Sequence, residues 1–253
     1  MNSLVLELFP GISLFGRAFE EAGFCVVRGP DVLWGGDIRA FRPHAGRFDG
    51  IIGGPPCQRF SRLANLVEHR YGPDSLADNL IPEFERVVSE AQPSWFVMEN
   101  VPDAPVPVVP GYGVTPVILN NRWFGEEQNR IRRFSFGLAD GRTFNPWRLI
   151  QIKALEPASF EYAVLGKWGG LKKSGRGYDK TERQIVRGYN AAHRPIWRCA
   201  ELQGMPRDFL EDAPFTQTAK RQLIANGVPM ALGRAVAHVV LALTAQEPEE
   251  AAS

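Results

Sequence analysis

The chain has 253 residues, 44% of them hydrophobic, with 29 lysines and arginines set against 28 aspartates and glutamates. That length buries a full core in one domain with an insertion, or in one large and one small domain, and a formal charge of +1 carries no global signature of nucleic-acid binding. Three cysteines without CxxC spacing argue against a disulfide framework or a zinc site. Leu4 to Phe9 is an apolar run that reads as a first strand, and it leads into the glycine turn of ELFPGISLFG, Glu7 to Gly16. A helix follows from Leu14 to Ala22, closed by Gly23. Strand, glycine turn and helix together offer backbone N–H groups and a positive helix end to a nucleotide, although the spacing is not GxGxxG.

Phe24 to Val27 reads as a second strand, and Cys25 within it as a packed thiol. Asp31 comes next, where a carboxylate either accepts ribose hydroxyls or closes the turn after Gly29-Pro30. The third apolar run ends in DGIIGGPPCQRFS, Asp49 to Ser61, whose two prolines stiffen the turn that carries Cys57. On its own Cys57 reads equally as a nucleophile and as a small buried hydrophobe. Asn79 to Ala91 places Leu80, Phe84, Val87, Val88 and Ala91 on one helical stripe. WFVMENVP, Trp95 to Pro102, sets Glu99 just after a buried strand, and the proline-rich Val101 to Gly111 reads as a stiff connection. Val114 to Leu119 and Phe134 to Phe136 read as further strands, with Gln128, Arg130 and Arg132 alternating along one face before the last of them.

From Asp140 to Ile196 the strand and helix rhythm lapses into glycines, aromatics and basic residues, among them Lys167, Lys172, Lys173 and Arg176. This segment is expected to be a small second domain. Helical periodicity returns at Trp197, Cys199 reads as a packed thiol, and the tail QEPEEAAS is expected to be disordered. The alternation implies an α/β fold with a mainly parallel sheet covered on both faces. Residues 1–139 and 197–245 would form the main domain, 140–196 the small one and 246–253 the tail. The N-terminus lacks a basic, apolar leader and no run approaches eighteen apolar residues, so neither signal peptide nor membrane span is expected. The four histidines have no metal-ligand spacing.

ELFPGISLFG, PPCQ, MENV, QNRIRRF, RCAELQGMP and ANGVP occur in one order, and together they strongly resemble the cytosine-C5 DNA methyltransferase family of bacteria and phages. The resemblance spans nearly the whole chain outside residues 140–196. It implies a Rossmann-like, S-adenosyl-L-methionine-dependent methyltransferase fold in which 140–196 is a target-recognition domain, short for the family, and S-adenosyl-L-homocysteine is the product. In the implied cofactor pocket Phe9 stacks on adenine, the backbone at Gly11, Ile12 and Ser13 meets the amino-acid end, and Asp31 takes the ribose. Asp37 and Ile38 lie at the adenine edge, with Pro56, Leu80, Asn226 and Val228 nearby. The implied catalytic set is Cys57 as the nucleophile at C6, Glu99 at N3, and Arg130 and Arg132 holding the base. Gln58, Arg59, Ser61 and Arg62 fall in a mobile loop, Asn100 and Gln128 near the target base, and Lys167, Lys172, Lys173 and Arg176 on the recognition surface.

The implied substrate is a cytosine flipped out of double-stranded DNA. The implied protein is a cytoplasmic monomer with no membrane attachment, and a cognate restriction endonuclease is an open partner. Ser13 departs from the family in replacing a glycine, Glu126-Glu127 in replacing an apolar-proline pair, and Ala225-Asn226 in replacing Gly-Asn. Methylation of tRNA cytosine by the same chemistry, a catalytically silent DNA-binding regulator, and an NAD-linked oxidoreductase built on the glycine turn are the competing readings. The turn's spacing argues against the last.

Overall fold

The structure, a computed structural model, describes residues 3–56, 78–153, 161–164 and 194–245. Six strands, β1 (Leu4–Leu8), β2 (Cys25–Arg28), β3 (Gly50–Gly53), β4 (Trp95–Asn100), β5 (Gly113–Asn120) and β7 (Ile131–Leu138), form one sheet in the order β2-β1-β3-β4-β7-β5. The first four are parallel, and β7 runs antiparallel to both β4 and β5. Parallel neighbours need crossovers. Helix α1 (Leu14–Glu21) joins β1 to β2, and α2 (Ile81–Ala91) lies between β3 and β4. Among the described residues three helices follow the sheet: α3 (Ile196–Leu202), α4 (Gln217–Asn226) and α5 (Met230–Ala245).

Period-two alternation divides the core. Val5, Ile52, Trp95, Val97, Phe134 and Phe136 pack on one face with Phe15 and Phe19 of α1 and Leu232, Val236 and Val240 of α5. Leu6, Leu8, Ile51, Phe96 and Met98 pack on the other with Ile81, Phe84, Val87, Val88 and Ala91 of α2. Each fully buried side chain of this size contributes roughly 1.5–3 kcal/mol relative to exposure. Glycine makes room for the large rings: a Cβ at Gly50 would lie 2.1 Å from the Trp95 indole, and one at Gly137 2.1 Å from the Phe96 ring. The stripe expected on α2 is buried as expected except Leu80, which is half-buried ahead of the helix.

One expectation needs correction, that of Cys25 as a packed thiol. Cys25 is exposed, because β2 is the outer strand of the sheet and pairs only with β1, while its neighbour Phe24 turns inward. Cys199 is fully buried. The stretch Gln217–Ala245 is long and apolar enough, by length and composition alone, to cross a membrane. The apolarity of α5 has a local cause, since Leu232, Val236, Ala237, Val239 and Val240 are all core residues, and Gly233 approaches α1 so closely that a Cβ there would sit 2.6 Å from that of Ala18. A helix covered on several sides loses its polar face.

Candidate active site

Because β1 to β4 are parallel, their carboxyl ends open on one edge of the sheet and bring together the turns that follow them. That edge holds Phe9 to Ser13 after β1, Asp31 after β2, Gly54 to Pro56 after β3, and Glu99 with Asn100 at the end of β4.

Glu99 is 8% exposed and shares a sheet face with Arg132, because its partner across the ladder is Phe134, two residues further along β7. Arg132 Nε lies 2.8 Å from Glu99 Oε1. Burial pushes the Glu99 carboxyl above its ordinary range, while the charges of Arg132 and Arg130 and the hydrogen bond from Arg132 pull it back. A Cβ placed on Gly54 would lie 3.0 Å from Glu99 Oε2, so this carboxylate rests against the turn three residues ahead of Cys57. Asn100 is 2% exposed and fastens the same turn: its Nδ2 donates to Pro55 O at 3.2 Å and its Oδ1 accepts from Val101 N at 2.9 Å. Such an arrangement presents a buried acid, tunable between donor and acceptor, beside a stiff turn.

The loop after β1 is backbone-strained. Phe9, Gly11 and Ser13 all have positive φ, at 55°, 53° and 57°. Asp31 bridges to it, accepting Gly11 N at Oδ2 (2.9 Å) and Leu33 N at Oδ1 (2.8 Å), and the Trp34 indole donates to Gly11 O at 2.9 Å. Each Asp31 oxygen keeps a lone pair for a further donor, and the side of Gly11 where a Cβ would project has no atom within 4 Å. These residues fit a nucleoside with an amino-acid tail. Asp37 is exposed and accepts Arg39 N at 2.9 Å. Phe9, Ile38 and Leu80 meet in one apolar cluster, with Ile38 buried at 3% and the other two half-buried. Ile12 is half-buried, Val228 is buried and Asn226 exposed. The segment around Gly227 packs on Leu14 beside the loop, where a Cβ would be 2.6 Å from Leu14 Cδ1.

Gln128 departs from its expected place at the DNA. It is 0% exposed, its Nε2 donates to Leu202 O and to Gln203 Oε1 (3.2 Å), and its Oε1 accepts Val164 N at 3.2 Å. The reason is a break in the strand: Gln128 and Asn129 form a separate strand, β6, paired with β8 (Glu161–Tyr162), where Gln128 reaches the end of α3 while Asn129 Oδ1 accepts from Asn120 Nδ2. Arg130, 4% exposed, points the same way and donates to Ala225 O (2.6 Å), Gly227 O (3.3 Å) and Val164 O (3.4 Å). Arg132 meets Glu99 through a direct bond, and the charge of Arg130 acts on it as well.

Cys57, Gln58, Arg59, Ser61 and Arg62 lie outside the described residues, as do Lys167, Lys172, Lys173, Arg176 and the tail 246–253. Sequence reasoning missed Glu7, Arg28, Trp34 and Gln203. Glu7 and Gln203 are isolated polar letters in apolar or mixed runs, and their only signal is that a polar group in a core demands partners. Among the described residues, no three histidine, cysteine, aspartate or glutamate side chains come together as a metal cage.

The C-5 cytosine-specific DNA methylase family matches residues 33–104. Type II methyltransferase M.AquIA of Picosynechococcus is 38% identical over 117 residues, 38% of this chain and 46% of that protein. Type II methyltransferase M.HindV of Haemophilus influenzae is 26% identical over 234 residues, 76% of this chain and 75% of that protein. The chain spans between a third and a half of the length of the first relatives it matches. In fold it is similar to the Entamoeba histolytica methyltransferase EhMeth, with a TM-score of 0.63 over 96% of this chain and 99% of that one, at 11% identity.

Proposed function

We propose that the chain, whose residues 33–104 match the C-5 cytosine-specific DNA methylase family and whose fold is similar to that of a methyltransferase, belongs to that family and methylates C5 of a cytosine flipped out of double-stranded DNA. The observation that carries the reading is the buried Glu99–Arg132 pair set against the Gly54–Pro56 turn that leads to Cys57. Bound S-adenosyl-L-methionine supplies the methyl group. Phe9, Gly11, Ile12, Ser13, Asp31, Asp37, Ile38, Pro56, Leu80, Asn226 and Val228 form its pocket in this proposal, with Asp31 as the ribose acceptor.

The cysteine does the activating chemistry. The Cys57 thiolate forms a bond to C6, and the charge that develops on the ring is met at N3 by the Glu99 proton, so that C5 becomes enamine-like. Arg132 orients Glu99 and presents its remaining N–H groups to the cytosine O2. Arg130, tied to the carbonyls of Ala225 and Gly227, supports the pair electrostatically. After methylation the C5 proton leaves to water and the C6–S bond breaks, restoring the thiolate. Asn100 holds the turn. Gln58, Arg59, Ser61 and Arg62 near the target, and Lys167, Lys172, Lys173 and Arg176 on the recognition surface, contact DNA. Gln128 serves this end only through its buried ties. The protein acts as a cytoplasmic monomer of a bacterium or phage-infected host, and the type II names of its relatives make a companion endonuclease part of the proposal.

The test is transfer of labelled methyl to mixed-sequence duplex DNA, with tRNA in parallel, followed by base-resolution mapping. Label at C5 of cytosine within a short repeated DNA sequence is the expected result, lost in Cys57→Ser while DNA binding persists. Label confined to tRNA, or full activity in Cys57→Ser, overturns the reading.

A further inference from the structure

Ser13 occupies a position that a side chain disfavours. Its φ of 57° is left-handed, and it makes no side-chain capping bond to α1, the usual reason for a serine ahead of a helix. Its hydroxyl is instead buried between charged groups of two strands: it donates to Glu7 Oε2 of β1 at 2.5 Å and accepts from Arg28 Nε of β2 at 3.0 Å. The chain extends at both ends. Glu7 Oε1 accepts Gly16 N at 2.8 Å, and Arg28 Nη2 reaches both Glu20 oxygens at 2.8 and 3.0 Å. Gly16 leaves the space for it, since a Cβ there would fall 2.3 Å from Glu7 Oε2 and 2.6 Å from Ser13 Oγ.

A glycine at position 13 would adopt the same φ more easily and keep the backbone bond from its N to Pro10 O, but would lose the side-chain tie to β1 and β2. With three positive-φ residues in five, the Phe9–Ser13 loop has little local preference for one shape. We infer that Ser13 is a positioning residue, whose hydroxyl, clamped between Glu7 and Arg28, holds this loop in the shape that receives the amino-acid end of the cofactor. The inference rests on the S-adenosylmethionine reading above.

The clamp is sensitive to proton occupancy. Glu7 is faced by Ser13 and Gly16, by Arg28 from β2 and by Glu20 from α1, and burial raises its carboxyl to about 7. Ionised, it is a pure acceptor, and the donors run in one direction from Arg28 through Ser13 to Glu7; protonated, it competes to donate to Ser13 Oγ and that order is lost.

Calorimetric titration with S-adenosylhomocysteine at pH 6, 7 and 8, on the wild type, Ser13→Gly, Arg28→Lys and the double variant, tests this. Each single variant is expected to bind about tenfold more weakly at pH 8, the double variant no more weakly than the worse single one, and the loss is expected to shrink at pH 6. Melting curves recorded alongside identify any variant that has not folded; should Ser13→Gly be one, Arg28→Lys, outside the loop and with its charge kept, carries the decision. Ser13→Gly binding as tightly as the wild type, or single effects that add in full, overturns the clamp while leaving the cofactor reading intact. Wild-type protein that binds no S-adenosylhomocysteine at any pH overturns both.

Discussion

Glu99 and Glu7 are two buried carboxyls of opposite design. Glu99 faces a guanidinium and opens toward the Gly54 turn, and burial raises its pKa against the pull of that guanidinium, the direction that the proposed proton donation requires. Glu99→Gln is expected to lower kcat about 10²-fold with cofactor affinity unchanged within about twofold, and to remove the alkaline limb that ionisation of Glu99 imposes on the rate. Steady-state kinetics across pH decides it, and an unaltered kcat would remove Glu99 from the chemistry. Glu7 meets Arg28 only through Ser13, and its carboxyl rises to about 7. A folded pKa above the unfolded one means a contribution to stability that is complete below the unfolded value near 4.5 and lost as pH rises through about 7. The loss amounts to about 3 kcal/mol. Urea unfolding of wild type and Glu7→Gln at pH 5, 6, 7 and 8 should therefore show the variant gaining relative to wild type with pH; a constant difference would contradict the linkage.

The short strand β6 and helices α3 to α4 meet at a seam where buried hydrogen bonds lie beside an apolar cluster that includes Val164, Cys199, Leu202 and Ile224. Gln203, 0% exposed, donates to Ile224 O (2.6 Å) and Gly227 O (3.1 Å) and accepts from Gln128, while its own carbonyl accepts Met230 N at 2.9 Å. Arg130 meets Ala225 and Gly227 from the same side. The helix ends that border the Phe9–Ser13 loop are thus held by two side chains as well as by apolar packing. Gln203→Ala removes the bonds to Ile224 O, Gly227 O and Gln128 Nε2, each of which keeps one other partner, and is expected to cost about 0.5–1.5 kcal/mol in denaturant unfolding and to weaken S-adenosylhomocysteine binding through the 225–228 segment. Loss of stability with no change in affinity would confine Gln203 to the scaffold.

Across the molecule, the parallel sheet brings loops from distant parts of the chain to one edge, so a ligand held there should couple to the stability of the whole. S-adenosylhomocysteine at a hundred times its Kd would add about 2.7 kcal/mol, which for a chain of this size raises Tm by about 5–11 °C; calorimetric scanning with and without it measures this, and no shift would argue against the pocket. The six strands of the main sheet, α1, α2 and the placement of Glu99 at the strand ends were legible in the residues, because apolar alternation and glycine or proline punctuation are local signals that each segment carries by itself. Cys25, the inward turn of Gln128 and the core role of α5 were not, since exposure at an outer strand, a break between β6 and β7, and burial of a helix on several sides are facts about neighbours. The same holds for the Glu7–Ser13–Arg28 chain. Its members lie six and fifteen residues apart in sequence, and only the parallel pairing of β1 with β2 brings their side chains within hydrogen-bonding distance. Composition and spacing carried the signals of the fold and of the residue types at the edge; the partners of each buried polar group were chosen by packing, because a hydrogen bond depends on position in space and not on order in the chain.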